Sequence, residues 1–269
     1  MRRLNGKIIL SGTGLHSGNE CRVTLEACDS PEVMMRADDD ECPLRMMKTD
    51  GTKRGSDYIF PNGKRVRTCE HVLSALSGLR VFSGIRITVE GGEMPALDGC
   101  SKAVCEQIMR NSYDDGAEMH CRELRKPLIV RSDDGMRFVC AFPSDEFHVT
   151  YTVKYEHIGV QTIDYVAGSM NYADDIAPAR TFAMKRDIEY LRSHGMALGG
   201  SLKNAIAVGE VIEAEGGLRW PDEFVRHKVL DIIGDMYSIG FPVKAHIIAM
   251  RAGHELHLRL AERMKGAIS

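Results

Sequence analysis

Apolar and polar residues alternate in two early stretches, CRVTLEA (21–27) and GIRITVEG (84–91). Val23 and Leu25 in the first, and Ile85, Ile87 and Val89 in the second, share one face at period two, so both predict half-buried strands. Further strands are expected near 128–131, 136–142, 147–155 and 204–208. The period lengthens to that of a helix after Thr68, a plausible N-cap, where Val72, Leu73, Leu76 and Leu79 recur at helical spacing. A second helix is predicted at about 183–193, ended by Gly195 before a glycine-rich turn at 199–200. A third runs from about 222 to 239, opening after Pro221-Asp222 and stopped by Gly240 with Pro242 behind it. The stretch 38–67, with Gly51, Gly55 and the turn Pro61-Asn62-Gly63, reads as polar connection. The charged text SYDDGAEMHCRELRKP (112–127) has no apolar period and ends in proline, which suits a linker between two halves, residues 1–118 and 124–269.

The two halves echo each other. His71, Gly78 and Gly84 recur as His227, Gly234 and Gly240, each pair 156 residues apart, while the apolar positions follow that offset only in part. A duplicated unit of strands plus helix would place a histidine at the equivalent point of each helix. Two such units packed face to face would bring both histidines to one interface.

Composition narrows the function classes. With 43% hydrophobic and 27% charged residues the 269-residue chain is globular in type. A net charge of -3 gives no basic field for a nucleic-acid backbone or an anionic lipid surface. The eight cysteines, Cys21 to Cys140, show no CxxC or zinc-finger spacing and fit reduced thiols in a cytosol. The opening MRRLNGKIIL has an apolar run too short for an export signal, and no stretch approaches a membrane span, so a soluble cytoplasmic protein is expected.

On the third helix His227, Asp231 and Asp235 fall within an arc of about 80°, opposite Val225, Val229, Ile232, Ile233 and Met236. His and Asp at i and i+4 can chelate one divalent ion, although a lone pair of this kind is more often a solvated helix face. The repeat partner His71, preceded by Glu70, changes the balance: two imidazoles, one carboxylate and a neighbouring non-ligating glutamate make a hydrolytic centre with an open position. Thr181 could offer a hydroxyl to a developing oxyanion, or be an ordinary turn threonine. His254 follows a glycine on an expected loop after the strand-like HIIAM, and would otherwise be merely solvated.

Together the segments GTGLHSG (12–18), TCEHVLSALSGL (68–79), PALDGCS (95–101), ARTFAMKRDIEYL (179–191), GMALGGSLKNAIAV (195–208), LRWPDEFVRHKVLDIIGD (218–235) and RAGHELH (251–257) resemble the UDP-3-O-acyl-N-acetylglucosamine deacetylases, the LpxC family of lipid A biosynthesis. The resemblance covers most of the chain. It implies an α+β fold of two similar domains, each a β-sheet with α-helices, the helices packed between the two sheets. It implies zinc held by His71, His227 and Asp231, with iron(II) as the alternative ion in the cell. Glu70 becomes the general base for the attacking water, Thr181 and the protonated His254 the groups that meet the oxyanion and departing amine, and Asp235 the residue that orients His254. Phe182 and Lys228 match substrate-binding positions, and Met184, Leu198 and Leu202 belong to the segments that form a passage for the 3-O-acyl chain. The implied substrate is a small UDP-sugar with a fatty acyl chain, bound by a monomer without nucleic-acid partner.

Three departures stand out. Ala183-Met184 replaces the common Gly-Phe after ARTF, which bears on the shape of the acyl passage. The loop TKRGSDYIF (52–60) lacks a cysteine found near there in some members, and His257 stands where Asn is common. Two other readings remain open at this stage: a zinc amidase acting on a different acylated amino sugar, and a structural metal protein, which would need a fourth protein ligand.

Overall fold

The computed structural model describes residues 1–51 and 54–268, so Thr52 and Lys53 of the 52–60 loop, and Ser269 at the end of the second half, lie outside the described residues. Two sheets dominate. The first runs, in spatial order, Ile8–Thr13, Glu20–Ala27, Ile85–Glu90, Val33–Ala37 and Asp40–Pro43. The second runs Leu128–Arg131, Phe138–Phe142, Val243–Met250, Phe147–Tyr155 and Gly159–Val166, with Arg122–Glu123 paired beside Val243–Met250. Along these paths both sheets pair antiparallel, antiparallel, parallel, antiparallel, and in both the last strand in sequence sits at the centre. The duplicated unit inferred from glycines and histidines is therefore a duplicated topology.

Among the described residues six α-helices form: α1 (Glu70–Gly78), α2 (Lys102–Arg110), α3 (Tyr172–Asp175), α4 (Lys185–Ser193), α5 (Glu223–Met236) and α6 (His254–Lys265). The central strand of each sheet is preceded by α1 or α5 and followed by α2 or α6. α1 packs on α5, α5 also packs on Phe147–Tyr155 and Gly159–Val166, and α6 packs on Leu128–Arg131 and Phe138–Phe142. One continuous apolar core joins both halves, from Val23, Leu25 and Ile87 through Leu73 and Leu76 to Val229, Ile232 and Ile247.

The repeated glycines have distinct physical reasons. A Cβ on Gly234 would lie 2.1 Å from the Glu70 carbonyl oxygen, so only glycine lets α1 and α5 approach this closely. A Cβ on its counterpart Gly78 would lie 2.1 Å from the ring of Tyr172. Gly84 and Gly240 have φ of +66° and +87°, the left-handed region in which glycine turns the chain from helix into strand. Two hydrogen bonds join positions that differ by the repeat offset: Ser74 Oγ donates to the Leu230 carbonyl at 2.7 Å, and the Tyr237 hydroxyl donates to the Val81 carbonyl.

Several local expectations change. Thr68 does not cap α1: it has φ of 54°, its hydroxyl donates to Glu93 at 2.9 Å, and the helix starts at Glu70. The helix expected from 222 to 239 is α-helical only to Met236, the last turn tightening to a 3-10 helix at Tyr237–Ile239. The stretch 38–67 holds short strands at Lys48–Asp50, Asp57–Ile59 and Arg65–Val66. In the expected linker, Ser112–Asp114 pairs with Arg2–Leu4. His254 is on no loop; it is the first residue of α6, after extended Gly253. No helix among the described residues is long and apolar enough to cross a membrane.

Candidate metal centre and active site

α1 and α5 are amphipathic only in a restricted sense, because both are buried on nearly all sides, and their polar residues face each other at the seam between the halves. His71 from α1 and His227 and Asp231 from α5 are 5%, 2% and 1% exposed. One ligand atom from each lies within 4.8 Å of the others. Asp231 Oδ1 is 3.3 Å from His227 Nε2 and 3.9 Å from His71 Nε2, and the two rings stand edge to face at 5.2 Å.

This donor set fits a divalent ion. Asp231 Oδ1 is buried with no hydrogen-bond partner, although a buried carboxylate oxygen ordinarily has one. His227 Nδ1 lies 3.0 Å from the Ala179 carbonyl, which fixes its proton there and leaves Nε2 as a free lone pair. Burial pushes the His227 pKa down to about 3, so the imidazole is neutral, as a ligand must be. Burial raises the Asp231 carboxyl but is outweighed by the neighbouring His227, Lys228, His254 and His71, which hold it well below the usual carboxylate range. Lys228 Nζ donates to Asp231 Oδ2 at 2.7 Å, leaving Oδ1 for the ion. A second two-histidine, one-aspartate group, His148, Asp164 and His246, lies on the outer face of the second sheet. There Asp164 Oδ1 already meets His148 Nε2 and the Thr150 hydroxyl, each at 2.5 Å, and no carboxylate oxygen is orphaned in the same way.

Glu70 points into the same seam. Its Oε2 accepts from the Ser56 amide at 2.9 Å and the Ser56 hydroxyl at 2.8 Å, which fixes the carboxylate, and Oε1 has no hydrogen bond among the described residues. His254 closes the other side, with Nε2 4.0 Å from Glu70 Oε1 and 3.6 Å from Asp231 Oδ2, and Nδ1 2.9 Å from Asp235 Oδ2. Burial alone would lower the His254 pKa, but the carboxylates of Asp235, Asp231 and Glu70 overcome it and raise the value to about 9. His254 therefore carries a proton on each nitrogen at neutral pH.

These groups open onto a cleft of about 880 Å³ lined by Glu70, Thr181, Phe182, His227, Lys228 and His254 among others. Arg54, Arg137, Lys154, Arg186 and Arg251 also line it, beside Glu156, Asp187 and Glu255, and of these Arg54 pairs with Asp187 and Arg186 with Glu156. Phe182 stacks edge to face on Tyr155, Phe224 and His227, with the Lys228 ammonium 5.5 Å above its ring. Met184 borders the cleft but is largely buried against Ile206, Val208 and Phe224. Leu198 and Leu202, 50% and 43% exposed, are not among the residues that line this cleft. The Leu198 amide donates to the His16 carbonyl, which docks this segment on the 14–18 loop.

Sequence reasoning missed the partners that hold these groups. Besides Ser56 and Ala179, Glu93 accepts from the His16 and Ser17 amides, both at 2.8 Å, and from Thr68, so it ties the 14–18 loop to the approach to α1. Arg180 and Glu223, 3% and 0% exposed, form a bidentate ion pair that fastens the Thr181 segment to the start of α5. The signal for that pair, Arg in ARTF and Glu in PDEF, was present, but nothing local joins positions 43 residues apart.

The sequence matches the family described as LpxC, UDP-3-O-acyl N-acetylglycosamine deacetylase, over residues 1–265. Proteins named UDP-3-O-acyl-N-acetylglucosamine deacetylase are similar along nearly the whole chain. The one from Oleidesulfovibrio alaskensis is 36% identical over 256 residues, covering 92% of this chain and 83% of its own. The one from Thermosynechococcus vestitus is 35% identical, covering 97% and 92%, and the one from Chlamydia muridarum 34% identical, covering 99% and 95%. A match of this extent, on a chain whose seam holds a two-histidine, one-aspartate cluster, places the protein in the UDP-3-O-acyl N-acetylglycosamine deacetylase family.

Proposed function

We propose that this chain hydrolyses the N-acetyl group of a UDP-3-O-acyl-N-acetylglucosamine, releasing acetate and the free amine, at a single metal centre held by His71, His227 and Asp231. The observation that carries the reading is the orphaned Asp231 Oδ1 between the imidazoles of His71 and His227, beside a glutamate and a protonated histidine. The two-imidazole, one-carboxylate set suits Zn2+ and Fe2+ alike, and we take zinc as the ion. When bound, such an ion supplies Lewis acidity to the amide carbonyl and lowers the pKa of a water from 15.7 towards about 7.

The chain's own residues do the rest. Glu70 Oε1, the oxygen not engaged by Ser56, accepts the proton of the attacking water. His254, with Nδ1–H held by Asp235, presents Nε2–H to the cleft, where it meets negative charge on the carbonyl oxygen and then protonates the departing nitrogen. The Thr181 hydroxyl borders the same space as a second donor to that oxygen. Phe182 and Lys228 form one wall of the sugar site. Met184, Leu198 and Leu202 are assigned to the acyl side. We read the chain as two halves, 1–118 and 124–269, acting as a cytoplasmic monomer in lipid A synthesis.

A structural metal protein would hold a fourth protein ligand, whereas the fourth side here opens to the cleft. The test is to incubate the purified protein with UDP-3-O-acyl-N-acetylglucosamine of several acyl lengths and with the deacylated UDP-sugar. Equimolar acetate and amine, faster with the acyl chain present, is the expected result. No acetate from any of them, with the metal bound, would overturn the reading.

A further inference from the structure

Asp235 serves two imidazoles with one oxygen. His254 Nδ1 lies 2.9 Å and His257 Nδ1 2.8 Å from Asp235 Oδ2, while Oδ1 is buried without a hydrogen-bond partner. The two histidines occupy positions i and i+3 of α6, their rings 6.0 Å apart. On its other side His257 Nε2 is 2.9 Å from the Tyr151 hydroxyl, which in turn lies 2.9 Å from the Ala252 carbonyl. The His257 amide donates to the Gly253 carbonyl at 3.0 Å. The polar chain thus runs from the His254 ring through Asp235, His257 and Tyr151 back to the backbone two residues before His254. His257, Asp235 and Tyr151 are all 0% exposed, so none of them reaches a substrate in the cleft.

A buried imidazole is a costly way to fill a core, because each polar atom left without a partner keeps its full desolvation penalty. Here both nitrogens lie within hydrogen-bond distance of one, and burial lowers the pKa of the ring. An ionised carboxylate oxygen can only accept, so His257 donates to it from Nδ1–H, while the single proton of the Tyr151 hydroxyl goes to the Ala252 carbonyl and its oxygen faces His257 Nε2. We infer that His257 is a positioning residue for His254: by donating to Asp235 Oδ2 it holds that oxygen, rather than the unpartnered Oδ1, against His254 Nδ1. Without this donor the carboxylate is free to rotate between its two oxygens, and the His254 ring loses its fixed aim into the cleft.

The inference rests on the deacetylase reading for its kinetic consequence but not for its structural one, and the experiment separates the two. In the metal-loaded wild type, 15N-histidine NMR should find His257 as the Nδ1–H tautomer and His254 with a downfield Nδ1–H proton. His257→Phe should lose that His254 signal and lower kcat at least about tenfold, with KM within twofold and one ion still bound. His257→Asn, whose side-chain amide can donate to the same oxygen, should restore most of both. An Nε2–H tautomer for His257 in the wild type would overturn the inference, even if His257→Phe fails to fold. So would an Asn variant as impaired as Phe, which makes the role one of shape, or a folded Phe variant with wild-type kcat and an unchanged His254 signal. Absence of activity in the wild type, with the tautomers as expected, would count against the deacetylase reading alone.

Discussion

Gly234→Ala is the substitution that most sharply separates packing from helix propensity in this fold. In an exposed helix interior it would stabilise by about 0.8–1 kcal/mol, because alanine restricts the unfolded chain and favours helix. Here the new Cβ would stand 2.1 Å from the Glu70 carbonyl oxygen and 2.8 Å from its carbonyl carbon, where 3.4 Å is an ordinary contact. The obstacle is backbone, so no side-chain rotation relieves it, and α1 and α5 must move apart by about 1 Å at their closest point. Overpacking of this kind costs about 1–3 kcal/mol, and with backbone as the obstacle the upper end applies. After subtracting the helix gain, the net loss is about 2 kcal/mol, a fall in Tm of roughly 4–8 °C. The same displacement carries Glu70 and His71 away from His227 and Asp231, and an error of about 1 Å at a reacting centre costs on the order of 100-fold in rate. Thermal unfolding followed by circular dichroism, with a parallel deacetylation assay and metal analysis, reads all three effects. A Tm equal to or above wild type with full activity would refute the claim that the helix seam sets the geometry of the centre.

Glu70→Ala should leave about one ion per chain bound while kcat falls roughly 100-fold or more, the usual contribution of a general base; loss of the ion would make Glu70 a ligand instead. His254 acts in its protonated form, so kcat/KM should fall as pH rises through its pKa of about 9. Asp235→Asn removes the first of the charges that raise it, so this basic limb should move to lower pH, and a profile superimposable on wild type would break the link between Asp235 and His254. Arg180→Met leaves Glu223 buried and unpaired, and should cost about 3–5 kcal/mol in urea unfolding; a loss below about 1 kcal/mol would mean that the pair is dispensable for anchoring the Thr181 segment.

The grouping of the candidate ligands was legible in the sequence where residues are related by local spacing. His227 and Asp231 are one helical turn apart, and the 156-residue offset placed His71 opposite them before any contact was known. Strands with clean alternation, such as Glu20–Ala27 and Phe147–Tyr155, were legible for the same reason. Gly159–Val166 was not: only Ile163 and Tyr165 of it are buried, and the exposed apolar Val160 blurs the alternation. Thr68 looked like a helix cap because caps are read from residue type, whereas Glu93, 25 residues away, takes its hydroxyl. Ser56 on Glu70, the Ala179 carbonyl on His227 and Tyr151 on His257 share this character, since each partner is chosen by the tertiary fold and carries no local periodicity.

The most direct test of the central claim is a metal titration of the activity. The protein is stripped with a chelator, divalent ion is returned in steps below one equivalent, and deacetylation of UDP-3-O-acyl-N-acetylglucosamine is measured beside the bound metal. Activity should vanish on stripping and rise in proportion to the ion up to one per chain, and His71→Ala and Asp231→Ala should neither retain the ion nor recover activity. Activity that survives in metal-free protein, or a full equivalent of tightly bound ion in either variant, would contradict it.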